Sequence, residues 1–205
     1  MNKIRVVVFD CDGVMFDTTA SNTAYYNQIL NFFGKPSLTS RQFEYAHMHT
    51  ADAALAYLFS DEKKLNKARD YRKTMSYLPF IKDMKEEPHL KPLLNKIRPH
   101  YKTAVATNRS DTMDHVLKQH GLEGYFDLVV TSLDVEHPKP HPELLIKILT
   151  YFNVKPDETI YVGDSKLDEM AAKAAQIPLV SYNNSTLAAD FHINSLKEIE
   201  GLLNL

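Results

Sequence analysis

Short apolar runs alternate with helical patterns through most of the chain. The runs lie at residues 6–9, 103–107, 128–131, 159–162 and 178–181. The first is continuous and β-branched, which is typical of a strand buried on both faces of a parallel sheet. Helical patterns cover residues 110–120, 141–152, 166–176 and 195–203. This alternation predicts an α/β fold, a doubly wound, Rossmann-like parallel sheet.

Residues 17–82 break the alternation because they contain no strand-like run and several successive helical patterns. One helix is predicted from apolar residues at helical spacing before Gly34, namely Tyr25, Ile29, Phe32 and Phe33. Further helices are predicted at residues 40–47, 52–59 and 61–77. We therefore expect a helical cap domain at residues 17–82, inserted into a core formed by residues 1–16 and 83–205.

Composition narrows the class of protein. The 205 residues carry 24 Lys+Arg against 26 Asp+Glu and show no basic stripe, which disfavours nucleic-acid binding. The single cysteine, Cys11, excludes an intrachain disulfide and fits a reducing compartment. Residues 1–5 run directly into the first strand without a signal-peptide pattern, and no apolar run approaches the roughly 18 residues of a membrane span. We expect a cytoplasmic monomer or homodimer that binds neither nucleic acid nor membrane.

Glycine is scarce, and its scarcity excludes one way of binding phosphate. The chain has six glycines, and no window contains the G-x-G-x-x-G or G-x-x-x-x-G-K-[S/T] pattern. Dinucleotide-binding and P-loop sites are therefore disfavoured.

Polar residues with catalytic potential follow the predicted strands. In chain order they are Asp10 and Asp12, then Thr107 and Asn108, then Lys139, then Asp164 and Asp168. Each alone is ordinary as a helix cap, a turn former or a solvated side chain. Together they would meet, because the carboxyl ends of parallel strands share one edge of the sheet. Strand alternation starts Asp10 and Asp12 on the same side, and Gly13 lets the chain turn sharply.

The chemistry of this cluster favours a metal and a phosphate. Concentrated carboxylates repel one another and need a cation, and oxygen ligands with retained water suit Mg²⁺. A site that holds Mg²⁺ attracts a phosphate, whose remaining oxygens a lysine and neutral donors can bind.

With these residues in this order, the sequence resembles the haloacid dehalogenase superfamily, in its phosphatase branch with a helical cap. The matching segments are Asp10-Cys11-Asp12-Gly13-Val14, Thr107-Asn108, Lys139, and Gly163-Asp164-Ser165-Lys166-Leu167-Asp168. The dehalogenases lack the second acid because a leaving halide needs no proton. Asp12 is present here, so phosphoryl chemistry is favoured.

The resemblance implies a role for each matching residue. Asp10 would attack phosphorus and form an aspartyl-phosphate, and Asp12 would serve as acid and then as base. Asp10, the main-chain carbonyl of Asp12 and Asp164 would hold Mg²⁺. Thr107 and Asn108 would bind the phosphoryl oxygens, and Lys139 would neutralise charge between Asp10 and the phosphoryl group. Asp168 would orient Lys139 or a metal-bound water; whether it touches the metal stays open.

These motifs are compatible with three functions. The first is a Mg²⁺-dependent hydrolase of a small phosphorylated metabolite, similar to phosphoglycolate phosphatases. The second is a phosphomutase of the β-phosphoglucomutase type, which shares the core motifs. The third is a non-enzymatic phosphoacceptor or binding protein, which the Asp10/Asp12 spacing and the long insertion disfavour.

Several basic residues lie outside these motifs. Arg41, Arg72 and Arg109 are candidates for contacting a second anionic group of a substrate, although each alone is more typical of a solvated face. His137 and His141 have metal-ligand spacing only in a helix, which the intervening prolines oppose. His47 and His49 diverge on a helix and are predicted to be ordinary surface residues, with contact to a substrate beneath the cap as the alternative.

Overall fold

A computed structural model describes residues 4–205, so the first three residues of the predicted core lie outside the described part. The strands are β1 (Val6–Phe9), β2 (Phe16–Asp17), β3 (Lys85–Glu86), β4 (Lys102–Ala106), β5 (Leu128–Val130), β6 (Thr159–Gly163), β7 (Leu179–Tyr182) and β8 (Phe191–Ile193). The helices are α1 (Thr19–Phe32), α2 (Ser40–Met48), α3 (Ala51–Leu58), α4 (Glu62–Thr74), α5 (Leu78–Ile81), α6 (Leu90–Ile97), α7 (Met113–Gln119), α8 (Glu143–Phe152), α9 (Lys166–Ala175) and α10 (Ile199–Leu203).

Six strands form one parallel sheet in the order β5-β4-β1-β6-β7-β8. Helices cover both of its faces, which confirms the predicted doubly wound α/β fold. The run that forms β1 is continuously apolar because both faces of this strand are buried. Val7 and Phe9 pack in the cluster that contains α6 and α7, whereas Val6 and Val8 pack in the cluster that contains α8 and α9.

The position of β1 in the sheet determines where a ligand site can form. β1 lies between β4 and β6, so the strand order reverses beside it. In open α/β sheets, the crevice at such a reversal, beyond the carboxyl ends of the strands, is where ligands bind. The residues that follow β1, β4 and β6 therefore border the same crevice.

Several elements differ from the sequence prediction. The predicted helix at residues 110–120 begins only at Met113, and the one at 141–152 begins at Glu143, with Pro142 at its N-cap position. The predicted helix at 61–77 ends at Thr74, and a new turn, α5, starts around Pro79. Strands β2, β3 and β8 and helix α6 were not predicted. The strands have at most three residues each, too few for a hydrophobic period to be read.

The helical segment between β2 and β3 has an apolar cluster of its own. This cluster includes Tyr25, Ile29 and Leu55. Phe32, which has the same helical spacing, is not part of the buried set: it is 62% exposed and stacks on Tyr71 with ring centroids 3.8 Å apart. The short β2–β3 ribbon pairs the two ends of the segment, at Asp17 and Lys85. A cap domain bounded at residues 17 and 82 stays a prediction.

A search of residues 4–205 for a helix with the length and apolarity to cross a bilayer finds none.

We expect Leu94→Ala to lower the free energy of unfolding by about 2–5 kcal/mol, because Leu94 is fully buried against the sheet and its truncation leaves a cavity. Leu133→Ala is the matched control; Leu133 is 68% exposed, so its truncation should change stability by less than about 0.5 kcal/mol. Urea unfolding measures both. Equal effects of the two variants would contradict the described packing.

Candidate active site

The turn after β1 positions two carboxylates. The Asp10 N–H donates to Val162 O at 2.9 Å, which extends the pairing with β6, and Asp10 Oδ1 accepts from Cys11 N at 2.7 Å. The chain then reverses through Gly13, which has a φ of +84° and donates to Phe16 O. A Cβ at Gly13 would lie 2.1 Å from Asp164 Oδ2. The missing side chain thus leaves the room that Asp164 occupies.

Lys139 is the buried cation of the site. Its side chain is 2% exposed, and its Nζ lies 2.9 Å from Asp10 Oδ1 and 2.7 Å from Asp168 Oδ1. Burial opposes the charged form, but Asp10 and Asp168 outweigh it and raise the pKa of Lys139 above its usual value. The lysine is therefore a fixed positive charge between two carboxylates, one that follows β1 and one in the first turn of α9.

Asp168 is saturated by protein donors. Its Oδ1 accepts from Lys139 and from the Tyr161 hydroxyl at 2.5 Å, and its Oδ2 accepts from the Ser165 N–H and hydroxyl at 3.0 and 2.5 Å. Ser165 also caps α9, so the start of that helix fixes Asp168. This arrangement makes Asp168 a support for Lys139 and leaves it little capacity for a metal.

Tyr161 is a site residue that sequence reasoning missed. It lies in the middle of β6, is fully buried, and its hydroxyl accepts from Lys139 Nζ at 2.9 Å. The available signal was a polar ring tip inside an otherwise apolar buried run, because such a hydroxyl needs a partner.

The acidic cluster has a donor set suited to a divalent cation. Asp10, Asp164 and Asp168 each offer an oxygen, and these oxygens all lie within 4.8 Å of one another. Burial raises the pKa of Asp10 to about 7, an effect that Lys139 opposes and Asp168 reinforces. Burial, Asp168 and Asp10 together raise the pKa of Asp164 well above its usual value. Lys139 alone does not balance the three carboxylates, and protein donors take both oxygens of Asp168. Asp10 and Asp164 are therefore the ones that fit a hard cation such as Mg²⁺.

Thr107 and Asn108 follow β4 and border the same crevice. The Thr107 N–H continues the sheet by donating to Val130 O at 3.0 Å. The Asn108 side chain is fully engaged: its Oδ1 accepts from Lys139 N at 2.9 Å, and its Nδ2 donates to Lys139 O at 3.0 Å and Met48 O at 3.1 Å. Asn108 thus holds the Lys139 loop in place and connects it to the last residue of α2.

Asp12 is paired with Arg109, a contact that no sequence motif indicated. Arg109 Nη2 donates to Asp12 Oδ1 at 2.6 Å and its Nε donates to Oδ2 at 3.0 Å, while its guanidinium lies over the Tyr77 ring. Asn22 Nδ2 reaches Asp12 Oδ1 at 3.3 Å. Burial would raise the pKa of Asp12, but Arg109 outweighs it and lowers the pKa to about 2.

A cavity of about 270 Å³ borders part of this site, although Tyr161, Asp164 and Asp168 are not among its lining residues. Asp10, Asp12, Thr107, Asn108 and Lys139 line its sheet side. The helical segment supplies the opposite wall, which includes Asn22, Tyr25, His47, His49, Arg72 and Tyr77. The cavity thus lies between the sheet edge and the helical segment.

The basic residues outside the motifs divide into two groups. Arg72 and Arg109 line the cavity, whereas Arg41 is exposed elsewhere. His47 and His49 were expected to be ordinary surface residues, with substrate contact as the alternative; both are partly buried in the cavity wall, which favours the alternative. His137 and His141 lie at an exposed loop, where the Nδ1 of each is within 3.8 Å of Glu143 Oε2.

Solved structures share this architecture. A haloacid dehalogenase superfamily hydrolase of subfamily IA, variant 1, from Geobacter sulfurreducens is 35% identical, with a TM-score of 0.80 over 98% of this chain and 97% of that one. β-Phosphoglucomutase from Clostridium difficile is 21% identical, with a TM-score of 0.82 over 98% and 97% of the two chains, and shows a shared fold.

Sequence comparison finds related hydrolases as well. Pyrophosphatase PpaX from Bacillus mycoides is 28% identical over 185 residues, which are 84% of this chain and 80% of the relative. The model of haloacid dehalogenase-like hydrolases matches residues 7–181. This span runs from β1 to β7 and includes every residue of the candidate site. These matches confirm the resemblance noted in the sequence and the expectation of a hydrolase: the chain belongs to the haloacid dehalogenase-like hydrolase family.

Proposed function

We propose that the protein is a Mg²⁺-dependent phosphomonoester hydrolase that acts on a small phosphorylated metabolite through an aspartyl-phosphate. The observation that carries this proposal is the contact of buried Lys139 with Asp10, beside a carboxylate cluster suited to a divalent cation. A carboxylate nucleophile that attacks a dianionic phosphoryl group needs positive charge close to both reactants. Lys139 and a bound Mg²⁺ ion would supply this charge.

Asp10 is the nucleophile in this proposal. Its oxygen attacks phosphorus, the bond to the leaving alcohol breaks, and water later cleaves the acyl-phosphate to release phosphate. Lys139 lowers the repulsion between Asp10 and the incoming oxygens. Asp168 and Tyr161 hold the ammonium group, and Asn108 holds the lysine main chain through its two reciprocal hydrogen bonds.

Asp12 transfers the protons. It donates one to the leaving alcohol and afterwards accepts one from the hydrolytic water. Thr107 contributes its hydroxyl to the phosphoryl oxygens. Because the Asn108 amide is engaged elsewhere, Asn108 contributes through its main chain.

Asp10, the main-chain carbonyl of Asp12 and Asp164 would hold the Mg²⁺ ion. When bound, the ion would neutralise charge on the phosphoryl oxygens and on the nucleophile.

The substrate is a small molecule, consistent with a cavity of about 270 Å³. The name of the Bacillus mycoides relative adds inorganic pyrophosphate to the compounds worth testing. In the same proposal the protein acts in the cytoplasm, as a monomer or homodimer.

Asp10→Asn should abolish phosphate release, because the amide is a poor nucleophile. With wild-type protein, acid quenching during turnover should trap a phosphoryl label that hydroxylamine removes, and Asp10→Asn should trap none. Asp83→Asn, at an exposed carboxylate, is the matched control and should behave as wild type. Full activity of Asp10→Asn would contradict the nucleophile assignment.

Asp12→Asn should lower the turnover of alkyl phosphates by about 10²–10⁴-fold, because their leaving alcohols need a proton. With p-nitrophenyl phosphate, whose leaving group needs none, the variant should release about one equivalent of p-nitrophenolate and then stall. Rapid-mix absorbance measures this burst. Undiminished hydrolysis of alkyl phosphates would remove the acid–base role of Asp12.

Gly13→Ala should raise the Mg²⁺ concentration needed for half-maximal activity, because the new Cβ would displace Asp164. Gly34→Ala is the matched control: Gly34 also has positive φ, at +64°, but a Cβ there meets nothing within 4 Å. Both should lose about 1–2 kcal/mol of stability from backbone strain. Equal Mg²⁺ dependence in the two variants would contradict the assignment of Asp164 as a ligand.

A further inference from the structure

Arg109 occupies both oxygens of the residue to which the proposed function gives proton transfer. Its Nη2 and Nε donate to Asp12 Oδ1 and Oδ2 at 2.6 and 3.0 Å, and its side chain is only 6% exposed. This bidentate contact takes one lone pair of each carboxylate oxygen, and Asn22 Nδ2 lies 3.3 Å from Oδ1, so protein donors hold both oxygens of Asp12. Release of one of these oxygens by Arg109 would open the carboxylate to a leaving group or a water.

A second guanidinium lines the same cavity. Arg72 Nη2 reaches Ser110 Oγ at 3.4 Å, but Arg72 Nε is buried and has no hydrogen-bond partner within residues 4–205. A buried donor without a partner is unfavourable, and such groups are frequently completed by a ligand or water. Of the two arginines that line the cavity, Arg72 thus carries a buried donor without an acceptor, and Arg109 has a proposed catalytic group as its acceptor.

The charges of this wall favour an anion. The cavity also contains Lys73 and the half-buried His47 and His49, whereas the carboxylate nearest Arg72 is Asp111, 3.9 Å away and 71% exposed. A planar guanidinium group can donate two parallel hydrogen bonds to the two oxygens of one carboxylate or phosphoryl group. A ligand with anionic oxygens on the side away from Asp10 would offer acceptors to the guanidinium groups of both arginines.

We propose that Arg109 is a specificity-determining residue that exchanges Asp12 for a second anionic group of the substrate. This inference rests on the proposed function and narrows its substrates to phosphate compounds that also carry a carboxylate or a further phosphoryl group. Such a substrate draws Arg109, assisted by Arg72, away from Asp12 and so frees the carboxylate for proton transfer. A phosphomonoester without a second anion leaves Asp12 clasped and reacts slowly.

The test compares two phosphomonoesters matched in size and leaving alcohol, a phosphorylated hydroxy acid and its primary amide. Wild-type protein should prefer the acid in kcat/KM by about 10- to 100-fold, the range expected for charge-assisted hydrogen bonds to one anionic group. Arg109→Met should remove this preference by changing both values. It should lower kcat/KM for the acid and raise kcat/KM for the amide, because Asp12 is then free without a second anion.

Two further variants separate this role from a structural one. Arg72→Met should lower kcat/KM for the acid without raising kcat/KM for the amide, because Arg72 does not touch Asp12. Arg41→Met, at an exposed arginine outside the cavity, should leave both rates unchanged. A merely structural role of Arg109 predicts that Arg109→Met slows acid and amide by the same factor. That result, or equal kcat/KM of wild-type protein for the two compounds, would overturn the inference.

A binding measurement distinguishes failure of this inference from failure of the proposed function. Titration calorimetry with the corresponding non-hydrolysable phosphonates, one acid and one amide, should show tighter binding of the acid that Arg109→Met abolishes. Preserved preference in binding with no phosphate release would overturn the proposed function but uphold the anion site. Phosphate release with equal binding of the two phosphonates would uphold the function and overturn the inference.

Discussion

The contact between buried Lys139 and the carboxylates of Asp10 and Asp168 is the interaction on which the site depends. It unites three segments that are far apart in sequence, at the ends of β1, in the loop after β5 and at the start of α9. An ammonium group this deeply buried is tolerated only when it is paired and hydrogen-bonded, and Tyr161 and Ala106 O complete its partners. Removing one of these partners would leave an uncompensated buried charge. The pairing of charges therefore also fixes the positions of Lys139, Asp10 and Asp168.

The sheet explains why these groups meet. Parallel strands need buried apolar runs and deliver their carboxyl ends to one edge, and β1 lies where the strand order reverses. This much followed from the sequence, because continuous apolar runs and the polar residues after them are local signals. The order of motifs then identified the family. The shortest strands were not predictable because two or three residues carry no period, and they owe their conformation to neighbours distant in sequence.

The parts of the site that sequence did not reveal are all tertiary contacts. Asp12 with Arg109, Asn108 with Met48 O, and Tyr161 with Asp168 join residues that no spacing rule connects. Arg72 and Arg109 were identified as possible anion contacts, yet nothing in the sequence distinguished them from exposed Arg41. Packing of the helical segment against the sheet edge makes that distinction. It also buries Arg109, whose hydrogen bonds to Asp12 are therefore stronger than those of an exposed ion pair.

The most direct test of the central claim is a phosphate-release assay over a panel of small phosphate compounds, including pyrophosphate, with Mg²⁺ and with a chelator. The account predicts release from at least one compound in Mg²⁺ and its loss on chelation, restored by adding Mg²⁺ back. Release that continues undiminished in the chelator would contradict the metal-dependent mechanism. Conversion of a sugar 1-phosphate to its 6-phosphate, without free phosphate, would contradict hydrolysis as the reaction.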